Sequence, residues 1–211
     1  MGRKNLLTQI HSHIFPPLGG HDQITAIDGR VAVLYGLGGM GKTQLALRYA
    51  AEKRDQFSAI HYVDGSSEIN ARVGFRDIGQ RYADMVMGLE DPEEPKRALQ
   101  RLQLAPYFSP KGQLSYDNIH LIEITKAVTG ILEQDGNDSW LLILDNVDEL
   151  DKFPIQDFLP KTPFRRVIIT TRLTAAIRLG YAIEVDSIDE VDGVAILLNS
   201  ARLRIQDISG N

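Results

Sequence analysis

Four or five short apolar runs, rich in β-branched residues, recur along the 211-residue chain and predict β-strands. Runs this short, without polar alternation, are typical of strands buried on both faces. Helical patterns separate them, which predicts an α/β fold whose parallel sheet is covered by helices on both sides. The predicted strands are Val31–Tyr35, Ala59–Val63, Trp140–Leu144, Val167–Thr170 and Ala182–Val185.

Between these runs, apolar residues repeat at three- and four-residue spacing, the pattern of a helix with one buried face. The predicted helices are Lys4–Ile14, Lys42–Arg54, Glu68–Met87, Ile119–Glu133 and Asp189–Arg204.

The segment from Gly88 to Asp117 interrupts this alternation. It holds four prolines and an acidic cluster followed by a basic one, and it is long for a connection inside a compact domain. Two interpretations remain open: an excursion with its own short helix near Ala98–Leu104, or a mobile loop.

One glycine-rich stretch joins the first predicted strand to the following helix. The sequence LYGLGGMGKTQLALRYA matches the phosphate-loop pattern G-x-x-x-x-G-K-[ST]. Its glycines let successive backbone N–H groups point at phosphate oxygens, and the helix that follows adds the positive end of its dipole. The predicted fold is therefore a three-layer P-loop NTPase sandwich with a five-stranded parallel sheet. The residues expected to hold the nucleotide here are Gly36, Gly38, Gly39, Met40, Gly41, Lys42, Thr43 and Gln44.

Two of these residues have specific expected roles, and an acidic residue on another strand is expected to complete the site. Lys42 reaches the β- and γ-phosphates, and the hydroxyl of Thr43 binds Mg²⁺. In WLLILDNVDEL, Asp145 ends a strand and would face the ligand crevice, where it can hold Mg²⁺ directly or through water. The alternative, an aspartate that only starts a turn, loses weight because the P-loop is present.

The residue after Asp145 is Asn146, and an amide cannot take a proton from water. If ATP is hydrolysed, the base is Asp148 or Glu149, or no strong base exists. Slow turnover, as of a weak ATPase, is the expectation.

The next predicted strand ends in VIITTR, which places Arg172 at the same crevice edge. The planar guanidinium suits a γ-phosphate and would report whether one is present. The alternative is a solvated arginine at a strand end.

Composition narrows the possible partners. Hydrophobic residues make up 43% and charged residues 24%, as in ordinary globular proteins, and the formal net charge is −5. An acidic chain has no basic field for nucleic acid, so no nucleic-acid partner is expected. Without cysteine, disulfides and thiol chemistry are excluded. No apolar run is long enough to span a membrane, and a cytoplasmic location is expected.

The motifs GLGGMGKT, LLILDNVD and VIITTR, in this order, resemble the NB-ARC class of STAND ATPases. This class comprises the nucleotide-binding modules of plant resistance proteins, apoptotic protease-activating proteins and fungal NOD-like receptors. The opening MGRKNLLTQIHSHI is similar to the family's adenine-side motif, with Met1, Gly2 and Arg3 in the matching positions. The resemblance implies that Gly2 and Arg3 lie near adenine and that the Arg172 strand lies between the P-loop strand and the Asp145 strand.

The resemblance also implies a function. The chain would be an ADP- or ATP-binding signal-transduction switch of innate immunity or programmed cell death, with Mg²⁺ and slow hydrolysis. Self-association or effector-domain partners would belong to a longer protein. Residues 1–188 would form the NB-ARC-type domain, and residues 189–211 would start a truncated helical subdomain. Because the family's later motifs do not follow, we expect an excised domain or a short gene product.

Two other functions compete with the switch. One is a true P-loop catalyst, such as a small-molecule kinase or an AAA-type ATPase, although an arginine-rich lid is not evident. The other is an interaction module with a vestigial P-loop, against which the intact Lys42, Thr43 and Asp145 argue. A GTPase is excluded because no N-K-x-D motif occurs.

Overall fold

Five strands form the sheet of this protein. The computed structural model describes residues 3–16, 30–88, 94–109, 111–152 and 154–186. Each strand lies within one residue, at either end, of the run that predicted it, because the short apolar runs mark the buried parts of the strands. The strands are β1 (Arg30–Tyr35), β2 (Ala59–Asp64), β3 (Trp140–Asp145), β4 (Arg166–Thr171) and β5 (Tyr181–Glu184).

The sheet has the order β2-β3-β4-β1-β5, and all of its strand pairs are parallel. Tyr35 pairs with Thr171, and Asp64 pairs with Asp145, so the strands end at one common edge. The predicted five-stranded parallel sheet is confirmed, and β4 lies between the P-loop strand and the Asp145 strand as expected.

Helices cover both faces of the sheet. Two of the longer ones begin at capping side chains: Ser67 accepts a hydrogen bond from the backbone N–H of Asn70, and Asp117 accepts one from Ile119. The helices are α1 (Lys4–Ile14), α2 (Lys42–Glu52), α3 (Glu68–Met87), α4 (Glu94–Arg101) and α5 (Asn118–Leu132).

Most helix predictions agree with the structure to within one residue, and α2 is an exception. It ends at Glu52 rather than Arg54, because Lys53 leaves the helical conformation and a 3₁₀ helix follows at Arg54–Gln56.

Alternation along the strands divides the core in two. In β1, Val31 and Val33 face the layer of α3 and α5, whereas Ala32 and Leu34 face the layer of α1 and α2. All six residues of β3 are buried. A central strand that is buried on both faces has no side facing solvent. Its residues alternate in direction but not between apolar and polar types.

The excursion after α3 has a short helix, as one of the two interpretations required. This helix, α4 (Glu94–Arg101), begins four residues before and ends three residues before the predicted Ala98–Leu104, and its first turn accommodates Pro95. Leu104 and Leu114 are buried in the core beside α3 and α5. The described part of the excursion is therefore packed onto the domain.

Three predictions lie outside the described residues: the positions of Met1 and Gly2, and the helix Asp189–Arg204. The division at residue 188 stays a prediction for the same reason. Within the described ranges, no helix is both long and apolar enough to cross a membrane.

Candidate functional site

The glycine-rich loop connects β1 to α2 through backbone conformations that a side chain would hinder. Gly36 has φ 146°, and a Cβ built on it would lie 2.5 Å from the carbonyl oxygen of Val185. Gly39 and Gly41 have φ values of 78° and 79°, in the left-handed region. Gly41 is the N-cap residue of α2, so the loop ends at the positive end of this helix.

Lys42 is the first residue of α2 and is almost fully buried, at 9% exposure. Its Nζ donates hydrogen bonds of 2.8 Å to the carbonyl oxygens of Gly36 and Leu37. Burial lowers the pKa of Lys42 and the Arg172 charge adds to this, whereas the carboxylates of Asp148 and Asp145 oppose it. A buried ammonium that spans the loop is placed to meet an anion held there.

Asp145, at the end of β3, collects three hydroxyl groups on one carboxylate. Its Oδ1 accepts hydrogen bonds from Thr43 at 2.8 Å and Thr170 at 2.6 Å, and its Oδ2 accepts one from Tyr62 at 2.8 Å. Asp145 is only 7% exposed. The structure thus brings together the two residues predicted to hold a metal, Thr43 and Asp145.

This pair fits Mg²⁺ by its chemistry. A hydroxyl and a carboxylate are the hard oxygen donors that Mg²⁺ prefers, and this ion commonly takes one or two protein ligands together with phosphate oxygens and water. Among the described residues, no group of three or more His, Cys, Asp or Glu side chains surrounds a possible metal position. Thr43 and Asp145 would hold the ion, which would supply charge neutralisation at the phosphates.

The hydroxyl groups at the end of β4 fix the backbone after Asp145. Thr170 accepts a hydrogen bond of 2.9 Å from the backbone N–H of Asn146, and Thr171 donates one of 2.6 Å to the carbonyl of Val147. Asn146 adopts φ 62°, a left-handed conformation that asparagine tolerates better than most residues. The chain turns sharply here, and the exposed Asn146 lines the pocket.

Beyond this turn, Asp148 is bound to Arg172. The backbone N–H of Arg172 donates to Asp148 Oδ1 at 2.6 Å, and its Nε donates to Oδ2. The Thr171 hydroxyl, whose shorter hydrogen bond goes to the Val147 carbonyl, lies 3.2 Å from Asp148 Oδ1. Burial would raise the pKa of Asp148, but the hydrogen bonds from Arg172 prevail and lower it. The other candidate base, Glu149, is exposed and lies 3.7 Å from Lys152.

Arg3 connects the start of α1 to the glycine-rich loop. Its guanidinium donates hydrogen bonds to the carbonyl oxygens of Met40, at 2.5 Å, and Asp186, at 2.6 Å. A Cβ on Gly41 would lie 3.5 Å from this guanidinium. Arg3 is thus in contact with the P-loop, while its proximity to adenine stays a prediction.

A pocket of about 410 Å³ opens between the glycine-rich loop, the end of β3 and the end of β4. It contains most of the predicted phosphate-binding residues together with Arg172, and Thr170 and Asn146 complete it. The lining residues are Gly38, Gly39, Gly41, Lys42, Thr43, Gln44, Asn146, Thr170 and Arg172.

Tyr62 is a site residue that the sequence analysis missed. It precedes the end of the edge strand β2 by two positions and reaches Asp145 on the neighbouring strand. Partial burial and the hydrogen bond to Asp145 raise the pKa of Tyr62 to about 12, so the hydroxyl stays protonated in the neutral range and keeps donating its hydrogen bond. Its sequence position carried no motif, because only the pairing of β2 with β3 brings it to the site.

Comparison with known proteins adds a likeness of fold. No protein-family model matches the chain, and neither does any curated protein. Cdc6p from Pyrobaculum aerophilum resembles it with a TM-score of 0.52 and 15% identity, over 95% of this chain and 49% of that one. PCH-2 from C. elegans has a TM-score of 0.46 and 11% identity, over 94% and 46%.

The chain thus spans about half the length of these two solved proteins. At 15% identity, the resemblance to Cdc6p concerns the fold and leaves activity and partners open. Five parallel strands with helices on both faces make up the part of this chain that the structure describes. The protein has the three-layer α/β fold of P-loop NTPases.

Proposed function

We propose that this protein is a nucleotide-binding switch domain of the STAND type, which binds ADP or ATP with Mg²⁺ and hydrolyses ATP slowly. In this proposal, nucleotide identity changes the interactions of a larger signalling protein, of the kind found in innate immunity and programmed cell death. The NB-ARC-like motif order supports the signalling part, and the geometry of the pocket supports the nucleotide part.

The hydroxyl cluster on Asp145 is the observation that carries the nucleotide proposal. Thr43 comes from the P-loop helix α2, whereas Asp145 lies 102 positions later, yet the two side chains are 2.8 Å apart. An aspartate that only starts a turn would not require a hydrogen bond from Thr43. A threonine hydroxyl beside a carboxylate, next to backbone N–H groups at a helix start, suits a metal-bound polyphosphate.

Slow hydrolysis follows from the surroundings of the candidate bases. Asn146 cannot accept a proton, Glu149 is exposed, and both carboxylate oxygens of Asp148 accept hydrogen bonds from Arg172. A base is efficient when its pKa lies near the working pH, and the pKa of Asp148 is lowered instead. Binding and state reporting, rather than turnover, are therefore the proposed tasks of the pocket.

The test is calorimetric titration of the protein with ADP and ATP, with and without Mg²⁺. We expect micromolar binding by the wild type, loss of binding in Lys42→Ala, and hydrolysis slower than about one turnover per minute, against ~1 to 10³ s⁻¹ for ordinary enzymes. Lys126→Ala, on the exposed surface of α5, is the matched control and should bind like the wild type.

Two results would contradict the proposal. Hydrolysis on the scale of ordinary enzymes would assign the pocket to a true P-loop catalyst, the alternative considered from the sequence. Binding that survives in Lys42→Ala would show that the ligand is held elsewhere. No observation in the described residues favours the catalyst over the switch.

A further inference from the structure

Arg172 and Asp148 form an ion pair whose two side chains differ in their exposure to solvent. The Asp148 side chain is 10% exposed and that of Arg172 is 59% exposed. The carboxylate is therefore the fixed partner, and the arginine reaches outward from it. The anchor is strengthened by the backbone N–H of Arg172, which donates to Asp148 Oδ1 at 2.6 Å.

The contact uses only part of the guanidinium. Asp148 Oδ2 accepts from Nε, and among the described residues the two terminal nitrogens of Arg172 have no hydrogen-bond partner. Arg172 also lines the pocket beside the glycine-rich loop, where its Cδ would lie 3.8 Å from a Cβ on Gly38. A guanidinium held at Nε keeps its other donors in one plane, free to bind an oxyanion.

An exposed arginine without such an anchor samples many rotamers and would lose this freedom on binding. Anchoring at Nε and at the backbone removes much of that loss before the ligand arrives. A carboxylate used in this way is poorly suited as a proton acceptor, because all its hydrogen bonds stabilise the charged form.

We propose that Asp148 is a positioning residue, which holds Arg172 so that its terminal nitrogens select a nucleoside triphosphate over the diphosphate. The proposal deepens the proposed function and rests on it. Asp148 itself touches neither the nucleotide nor the attacking water. The contact that Asp148 positions is made to the γ-phosphate, which ADP lacks.

The experiment compares the affinities of the Mg²⁺ complexes of ADP and a non-hydrolysable ATP analogue. The variants are Asp148→Asn, Arg172→Lys, Arg172→Gln and the double variant Asp148→Asn/Arg172→Gln. Asparagine preserves the size of the side chain and an acceptor for the backbone N–H of Arg172, and Arg172 is exposed, so both sites tolerate these changes. Asp151→Asn, at an exposed position of the same segment, is the matched control.

We expect Asp148→Asn to lower the affinity for the triphosphate analogue, relative to the affinity for ADP, about fivefold or more, as for loss of a charge-assisted contact. Arg172→Lys should have the same effect, because a lysine keeps the charge but cannot use one nitrogen for the anchor and two for the ligand. The double variant should equal Arg172→Gln, since Asp148 acts only through Arg172.

Three outcomes would overturn the positioning role. An unchanged affinity ratio with slower hydrolysis in Asp148→Asn would identify Asp148 as the base that the sequence suggested. A higher triphosphate affinity in this variant would show that Asp148 withholds Arg172. If Arg172→Lys kept the full preference for the triphosphate analogue over ADP, the planar set of guanidinium donors would not be required. Failure of the proposed function is distinct: the wild type would then bind neither nucleotide, would hydrolyse ATP at the rate of ordinary enzymes, or would keep its affinity in Lys42→Ala.

Discussion

At the scale of single residues, the site depends on a carboxylate that is saturated with hydroxyl donors. Asp145 accepts from Thr43, Thr170 and Tyr62, which come from three different elements. Each hydrogen bond to a charged acceptor is worth about 1.5–3 kcal/mol in proteins. The cluster therefore fixes the relative positions of the P-loop helix, β2 and β4, together with the oxygens that we propose hold Mg²⁺.

His61 is a second buried polar residue, and it gives a prediction about pH. It lies on β2 at 5% exposure, and neither ring nitrogen has a hydrogen-bond partner among the described residues. Burial, helped by the nearby charge of Arg81, lowers the pKa of His61 to about 4, from 6.5. As pH falls below 6.5, the unfolded chain takes up the proton before the folded protein does, which favours unfolding.

The expected result is a decrease in the free energy of unfolding of up to about 3 kcal/mol from this group between pH 6.5 and 4. Urea denaturation at several pH values measures it. His61→Leu should remove this part of the pH dependence, whereas Tyr82→Phe, beside the His61 ring, should retain it. An equal pH dependence in His61→Leu and the wild type would refute the assignment.

At the scale of elements, sequence patterns predicted what depends on neighbours along the chain. Apolar runs predicted each strand, and the glycine and lysine spacing predicted the loop before α2. The pairing of Asp148 with Arg172 and the reach of Tyr62 to Asp145 were not predictable in this way. Both depend on which strands lie side by side, and β2, β3 and β4 are separated in sequence by helices and loops.

The excursion after α3 illustrates the same limit and can be tested. From its length, the sequence left two interpretations open, an excursion with its own short helix and a mobile loop. In the structure, Arg76 contacts this segment. This buried residue of α3 donates hydrogen bonds of 3.0 and 2.7 Å to the carbonyl of Leu114, and its guanidinium lies 4.1 Å from the Tyr116 ring. These contacts of Arg76 hold the segment against α3.

Arg76→Met should release this fastening, because it leaves the Leu114 carbonyl without its donor at a cost of about 1–3 kcal/mol. We expect faster hydrogen exchange at the amides of Leu114 and Ser115, with nucleotide affinity unchanged. Arg81→Met, at an exposed position of the same helix, is the control and should leave exchange in the segment as it is. Unchanged protection in Arg76→Met would mean that core packing alone holds the segment.

At the scale of the whole molecule, charge and local geometry act in opposite directions. The formal net charge of −5 has the same sign as a polyanion and repels it. Nucleic acid binds through many lysine and arginine contacts with its phosphates, which an acidic chain is poorly able to supply. The pocket nevertheless gathers Lys42, Arg172 and the positive end of α2 around one small volume. An anion small enough to enter it meets positive groups, whereas an extended one meets the acidic surface.

Thermal unfolding distinguishes these two cases. A ligand that binds only the folded state stabilises it by about 2.7 kcal/mol at one hundred times its dissociation constant, or about 5–10 °C for a domain of this size. We expect Mg²⁺–ADP to raise the melting temperature by this amount in the wild type and not in Lys42→Ala. Duplex DNA at the same phosphate concentration should leave it unchanged. A rise with DNA that salt abolishes would show that a local basic surface outweighs the net charge.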